Sequence, residues 1–71
     1  MKEVIIHTEY IKLEQLLKLA DLCGSGGEAK NRILDGEAAV NGVVCTERGH
    51  KCRPGDTVAF AGEEIKVEAE R

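Results

Sequence analysis

Ser25-Gly26-Gly27-Glu28-Ala29-Lys30, followed a few residues on by Val40-Asn41-Gly42-Val43, is the stretch that decides how this chain folds. The first part reads as the start of a helix. Ser25 and Glu28 satisfy the S-x-x-E capping box, in which the hydroxyl accepts from the third helical amide and the carboxylate reaches back to the cap residue's own amide. That helix should run to about Asp35, bury Ala29 and Ile33 at i and i+4, and stop at Gly36. The second part reads as a hairpin. Asn41-Gly42, flanked by Ala38, Val40, Val43 and Cys45, is the strongest short-range signal for two strands joined by a two-residue turn.

Upstream, Val4 to Ile6 reads as a short strand, and Leu13, Leu16, Leu17 and Ala20 form one apolar stripe at i, i+3, i+4 and i+7. Thr8 or Lys12 leads into this helix, and Gly24 is its expected stop after a last turn near Leu22 or Cys23. Glu14 and Lys18 are spaced i, i+4 on the opposite, solvated face. Downstream of the hairpin, Arg53-Pro54-Gly55-Asp56 suits a type II turn. Val58 and Phe60 then alternate as a strand, answered by Ile65 and Val67 across a turn expected at Gly62-Glu63. Residues 68–71 lack a core pattern and are expected to fray. The order predicts an α+β fold in a single domain over 1–71, with a small core and marginal stability.

The formal charge is −3, which by itself argues against a polyanionic partner. The average conceals a split. Residues 1–54 carry equal numbers of cations and carboxylates, while in residues 55–71 Asp56, Glu63, Glu64, Glu68 and Glu70 face only Lys66 and Arg71. One end can therefore be locally basic while the other keeps the molecule soluble. The apolar run at the N-terminus is too short for a signal peptide, and no stretch approaches the roughly 20 apolar residues of a membrane span, so a cytoplasmic protein without membrane contact is expected. Cys23, Cys45 and Cys52 are an odd set, which fits reduced thiols.

Gly26 and Gly27 leave the first turn of the second helix without side chains. A phosphate could approach the backbone amides and the positive end of the helix dipole there, with Lys30 one turn along on the Gly26 side. Between Thr46 and Arg53 the chain carries Arg48, His50, Lys51 and Arg53 against Glu47 alone. Taken alone this density reads as a solvated loop; set on the same end of the fold as Lys18 and Lys30, it would become a patch of about five cations, whose binding to phosphates would release counterions and be salt-sensitive. Tyr10 and Phe60 are the only aromatic residues, and Phe60 sits in a core strand pattern. Readout of phosphates and shape in structured RNA is expected, with little reading of bases.

Metal and catalysis are not expected. Cys45, Cys52 and His50 lack paired C-x2-4-C knuckles, so the cysteines read as small apolar fillers and no cofactor is implied. Ser25 is committed as a cap, His7 lies on an edge strand with no evident carboxylate partner, and a chain this short offers no enclosed pocket for a small-molecule substrate.

The order of helix, helix, hairpin, turn and strand places Leu16, Ala20, Ser25, Glu28, Ala29, Lys30, Ile33, Gly36, Val40-Asn41-Gly42 and Pro54-Gly55-Asp56 in a pattern. Over residues 12–60 that pattern resembles the RNA-binding domain first known in ribosomal protein S-four. Ser25-Gly26-Gly27 and Arg48-Gly49-His50-Lys51 look closest to the small stand-alone bacterial members. The resemblance implies an αL motif in which two short helices pack on a small, mainly antiparallel sheet. It also implies that RNA lies against the start of the second helix and the loops after the hairpin, and it carries an RNA-facing role to Ser25, Lys30, Asn41, Arg48, Lys51 and Arg53. Many members have arginine where this chain has Gly26 or Gly27, a loss of charge that implies weaker or more shape-dependent binding.

The sequence thus predicts a monomeric, non-catalytic module that binds structured RNA, ribosomal or transfer RNA, with the ribosome as a further partner. Its expected contact residues are Lys18, Ser25, Gly26, Gly27, Lys30, Asn41, Arg48, His50, Lys51 and Arg53. The competing reading is a protein-interaction adaptor whose acidic tail or sheet edge docks a partner.

Overall fold

Buried and less buried side chains alternate along the longer strands, and their buried residues meet the apolar stripes of two helices in one core. The computed structural model describes residues 1–70. In chain order the elements are β1 (Lys2–Ile6), β2 (Ile11–Lys12), α1 (Leu13–Leu19), α2 (Gly26–Leu34), β3 (Ala38–Val40), β4 (Val43–Val44), β5 (Lys51–Cys52), β6 (Thr57–Phe60) and β7 (Glu63–Ala69). Five strands form a sheet in the order β1-β7-β6-β3-β4, and β2 and β5 form a separate two-stranded ladder. Every pairing in the main sheet is antiparallel except β1 with β7. Val4, Ile6, Ala38, Val40, Val58, Phe60, Ile65 and Val67 from the sheet pack with Leu13, Leu16, Leu17, Ala20, Ala29 and Ile33 from the helices. Phe60, 1 % exposed, is in the core as its strand pattern predicts.

The local signals for α2 hold in detail. Ser25 caps it by accepting from the Glu28 amide at 3.1 Å. At the far end Gly36, at φ +80, receives a Schellman ending in which its own amide donates to Ile33 O and the Glu37 amide to Arg32 O. The capping box departs from expectation in one bond: Glu28 Oε1 accepts from the Gly24 amide at 3.0 Å rather than from that of Ser25. The Asn41-Gly42 turn has positive φ at both residues and sets Val40 opposite Val43, as expected. Gly55 at φ +97, with the Asp56 amide donating to Arg53 O, completes the type II turn.

Three expectations are corrected. α1 ends at Leu19 rather than near Leu22 or Cys23, because Asp21 takes the left-handed conformation at φ 63 in place of Gly24. The Asp21 amide donates to Lys18 O and the Leu22 amide to Leu17 O, so a short polar residue serves where glycine is usual. The β6–β7 turn is Ala61-Gly62, both at positive φ, one residue earlier than Gly62-Glu63. Glu68 and Ala69, expected to fray, belong to β7 and pair with Ile5 and Ile6 of β1, and the Glu70 amide donates to Ile6 O. Arg71 lies outside the described residues. The parallel partner supplies hydrogen bonds that core patterning alone does not announce.

Candidate functional site

The segment from Arg48 to Arg53 is held by its backbone against the start of α1. Lys12 caps that helix without a side-chain bond, and the orphan amides of Leu13 and Glu14 donate instead to His50 O at 2.9 Å and Arg48 O at 3.0 Å. The main chain of the basic segment is thereby fixed while Arg48, Lys51 and Arg53 stay exposed. Immediately beyond, β2 and β5 pair with Ile11 opposite Cys52 and Lys12 opposite Lys51. This register carries Tyr10 towards Arg53: Lys51 Nζ lies 5.0 Å and Arg53 Cζ 5.8 Å from the Tyr10 ring centre.

Tyr10, Ile11, Lys12, Lys18 and Leu19, with Thr8 and Gln15, line an open groove of about 750 Å³ to which no carboxylate contributes. Lys18 therefore joins Lys51 and Arg53 through Tyr10, which brings three of the expected contact residues together. Lys12 and Tyr10 belong to the same group and were not among the expected contacts. Their signal was absent, because two-residue strands show no periodicity. The i, i+4 spacing of Glu14 and Lys18 closes into no ion pair among the described residues.

The glycine pair at the start of α2 is open. A Cβ built on Gly26 meets nothing within 4 Å, and one on Gly27 meets only the Ser25 hydroxyl at 3.9 Å. The amides of these first two helical positions have no intrahelical acceptor. Glu28, whose charge at the helix start opposes an anion, accepts from the Gly24 amide at 3.0 Å and lies 3.7 Å from Arg32 Nη1, which offsets part of that charge. Lys30, exposed, follows Gly26 by four residues on the same face.

Asn41 and His50 stand elsewhere, lining a groove beneath the hairpin with Val43, Val44 and Glu47. The Asn41 side chain is already engaged: Nδ2 donates to Asp56 Oδ1 at 3.1 Å and Oδ1 accepts from the Thr57 amide at 3.0 Å. Asp56 Oδ2 also accepts from the Arg53 amide at 2.8 Å, and this bond, followed by that from Asn41, holds its carboxyl below the ordinary range. Asn41 thus staples the hairpin to the Arg53 turn.

The other cations among the described residues are engaged within the fold. Arg32 pairs with Glu37 at 2.9 Å and lies 4.5 Å over the Phe60 ring, Lys66 pairs with Glu68, and Lys2 Nζ donates to Ala20 O at 3.0 Å. Lys12, Lys18, Lys30, Arg48, Lys51 and Arg53 make no ion pair among the described residues. His7, expected to lack a carboxylate partner, meets Glu70, which the extension of β7 along β1 brings to it. Glu3, Glu68 and Glu70 there line a second, acidic groove. Cys52 is fully buried, Cys23 is buried and Cys45 packs against the core. Among the described residues no cluster of His, Cys, Asp or Glu has a metal-binding arrangement, and no helix is long and apolar enough to cross a membrane.

Known proteins resemble this chain over most of its length. The sequence pattern of the S4 domain matches residues 4–68. YbcJ of Escherichia coli (strain K12), named provisionally as RNA-binding, is 40 % identical over 60 residues, which span 84 % of this chain and 86 % of that protein. RlbA of Bacillus subtilis (strain 168), named provisionally as a ribosome maturation protein, is 44 % identical over 59 residues, 83 % of either chain. The solution structure of E. coli YbcJ, described as revealing an αL motif involved in RNA binding, superposes with a TM-score of 0.76 at 36 % identity. The superposition covers 97 % of this chain and 89 % of that one.

Proposed function

Since the chain belongs to the S4 domain family, we propose that it is a non-catalytic cytoplasmic module that binds structured RNA, ribosomal RNA first, with transfer RNA the second candidate. The observation that carries this reading is the division of the cations. Arg32, Lys66 and Lys2 are engaged within the fold, whereas Lys12, Lys18, Lys30, Arg48, Lys51 and Arg53 have no carboxylate partner among the described residues, although carboxylates outnumber cations in the chain. A fold with carboxylates to spare leaves these charges unneutralised, which suits a polyanion.

Lys51, Arg53, Lys12 and Lys18 would hold phosphates about the Tyr10 groove, with Arg48 beside them. The Gly26 and Gly27 amides, with Ser25 as cap and Lys30 on their face, would hold a further phosphate at the helix start. The Asn41 and His50 groove would contribute at the margin. The provisional assignment of RlbA to ribosome maturation supports ribosomal RNA as the first candidate.

The test is the double variant Lys30→Glu with Lys51→Glu. Its affinity for ribosomal RNA at low salt should fall, and its salt slope should be shallower than that of the wild type by roughly 0.7 to 0.9 for each phosphate left unneutralised. Unchanged affinity in a variant with intact circular dichroism would overturn the reading.

A further inference from the structure

The Tyr10 groove combines cations that suit phosphates with an apolar surface that a site for phosphates alone does not need. It has an aromatic wall, with Ile11 and the 62 % exposed Leu19 as apolar neighbours, and its charged lining, Lys12 and Lys18, is purely cationic. Lys51 and Arg53 stand 5.0 and 5.8 Å from the ring centre, are exposed, and make no ion pair among the described residues, so they can turn from the ring to a ligand. The segment is ordered by the Thr8 hydroxyl, which donates to Tyr10 O at 2.7 Å, and by the β2–β5 ladder.

The geometry points to a seat for one unpaired nucleotide, its base stacked on the Tyr10 ring and its flanking phosphates on Lys12, Lys18, Lys51 and Arg53. An acidic protein segment would satisfy the cations and leave the ring and the apolar neighbours unused. A nucleotide supplies a flat π-face and adjacent negative charge together. Paired bases of an A-form helix are enclosed in their own stack, so the ring can meet only a base at a bulge, loop or end. This inference rests on the RNA reading above and adds the element of RNA structure that is recognised.

The experiment uses two RNA hairpins that differ only in whether one fluorescent adenine analogue is bulged or paired. The wild-type protein should bind the bulged hairpin roughly tenfold more tightly and quench the analogue on binding, the order of effect expected from one base stacked on an aromatic ring. Tyr10→Phe should keep both properties and Tyr10→Leu should lose them. Salt-sensitive binding to both hairpins with equal affinity and no quenching would overturn the inference while leaving the RNA reading intact. Binding to neither would overturn both. Displacement of either hairpin by a poly-glutamate peptide, with no preference for the bulge, would assign the groove to an acidic protein segment and also overturn it. The quenching measurement needs only the wild-type chain, so it decides the matter even if a Tyr10 variant fails to fold.

Discussion

Lys12 and Lys51 face each other directly across the β2–β5 ladder. Like charges in that position destabilise a strand pair, by a fraction of the roughly 0.2–1 kcal/mol that cross-strand pairs contribute. Neither lysine has a carboxylate to relieve it among the described residues. Such local conflicts are characteristic of positions kept for binding rather than for stability.

Lys51→Glu should therefore separate the two roles. The new cross-strand pair with Lys12 raises stability by up to about 1 kcal/mol in urea denaturation, while RNA affinity falls and the salt slope drops by about 1. If stability and affinity rise together, the opposed lysines serve no polyanion.

The glycines at the α2 start give the same kind of contrast. Gly26 has open space at its Cβ position and no positive φ, so Gly26→Ala should stabilise the fold by about 0.5 kcal/mol in a urea titration. Gly26→Leu would lay a larger side chain across the amides and weaken RNA binding by roughly 0.3–1 kcal/mol, the usual worth of an anion at a helix start. Equal affinities for wild type and Gly26→Leu would remove the helix terminus from the interface.

Asp56 makes the fold acid-sensitive. Its carboxyl is held below the ordinary range by the Arg53 amide and Asn41, so the stability it contributes is present above pH about 4 and is lost as pH falls through its depressed value. Asp56→Asn should cost roughly 1–2 kcal/mol at neutral pH. That difference should shrink when denaturation is repeated at progressively lower pH, and a gap that stays constant to pH about 2 would show that the charge on Asp56 is immaterial.

The thiols should react in order of exposure. Cys45, half-buried, should be alkylated first and Cys52, 0 % exposed, last, as peptide mass mapping would record. Burial pushes the Cys52 thiol up to about 12 and also raises that of Cys23. Because the folded value of Cys52 lies above the ordinary one, its share of stability is intact below pH about 8.5 and is lost as pH rises towards its folded value. Thermal melts of wild type and Cys52→Ala should show the wild type losing stability more steeply over that alkaline range, and parallel curves would contradict the assignment.

Which parts of this protein could be read before folding follows from the range of the forces involved. The Ser25 cap, the Gly36 ending, the Asn41-Gly42 hairpin and the Arg53-to-Asp56 turn are each settled by hydrogen bonds within a few residues. The stripe of Leu13, Leu16, Leu17 and Ala20 and the alternation of Val58 with Phe60 likewise carry their own periods, and all are buried. The left-handed Asp21, although local, was hard to foresee, since Gly24 offered a cheaper stop three residues later.

By itself, then, the sequence determined two capped helices, a hairpin, a sharp turn, an apolar face for each, and a supply of cations in its first three-quarters. Only the tertiary structure decided that β7 continues through Ala69 along β1, that Asn41 is engaged by Asp56 and Thr57, and that Tyr10, Lys12, Lys18, Lys51 and Arg53 meet at one groove. Those relationships join segments far apart in the chain through ladders as short as two residues. Such a pairing has no period of its own and forms only when the core on either side has already closed the loops between its strands.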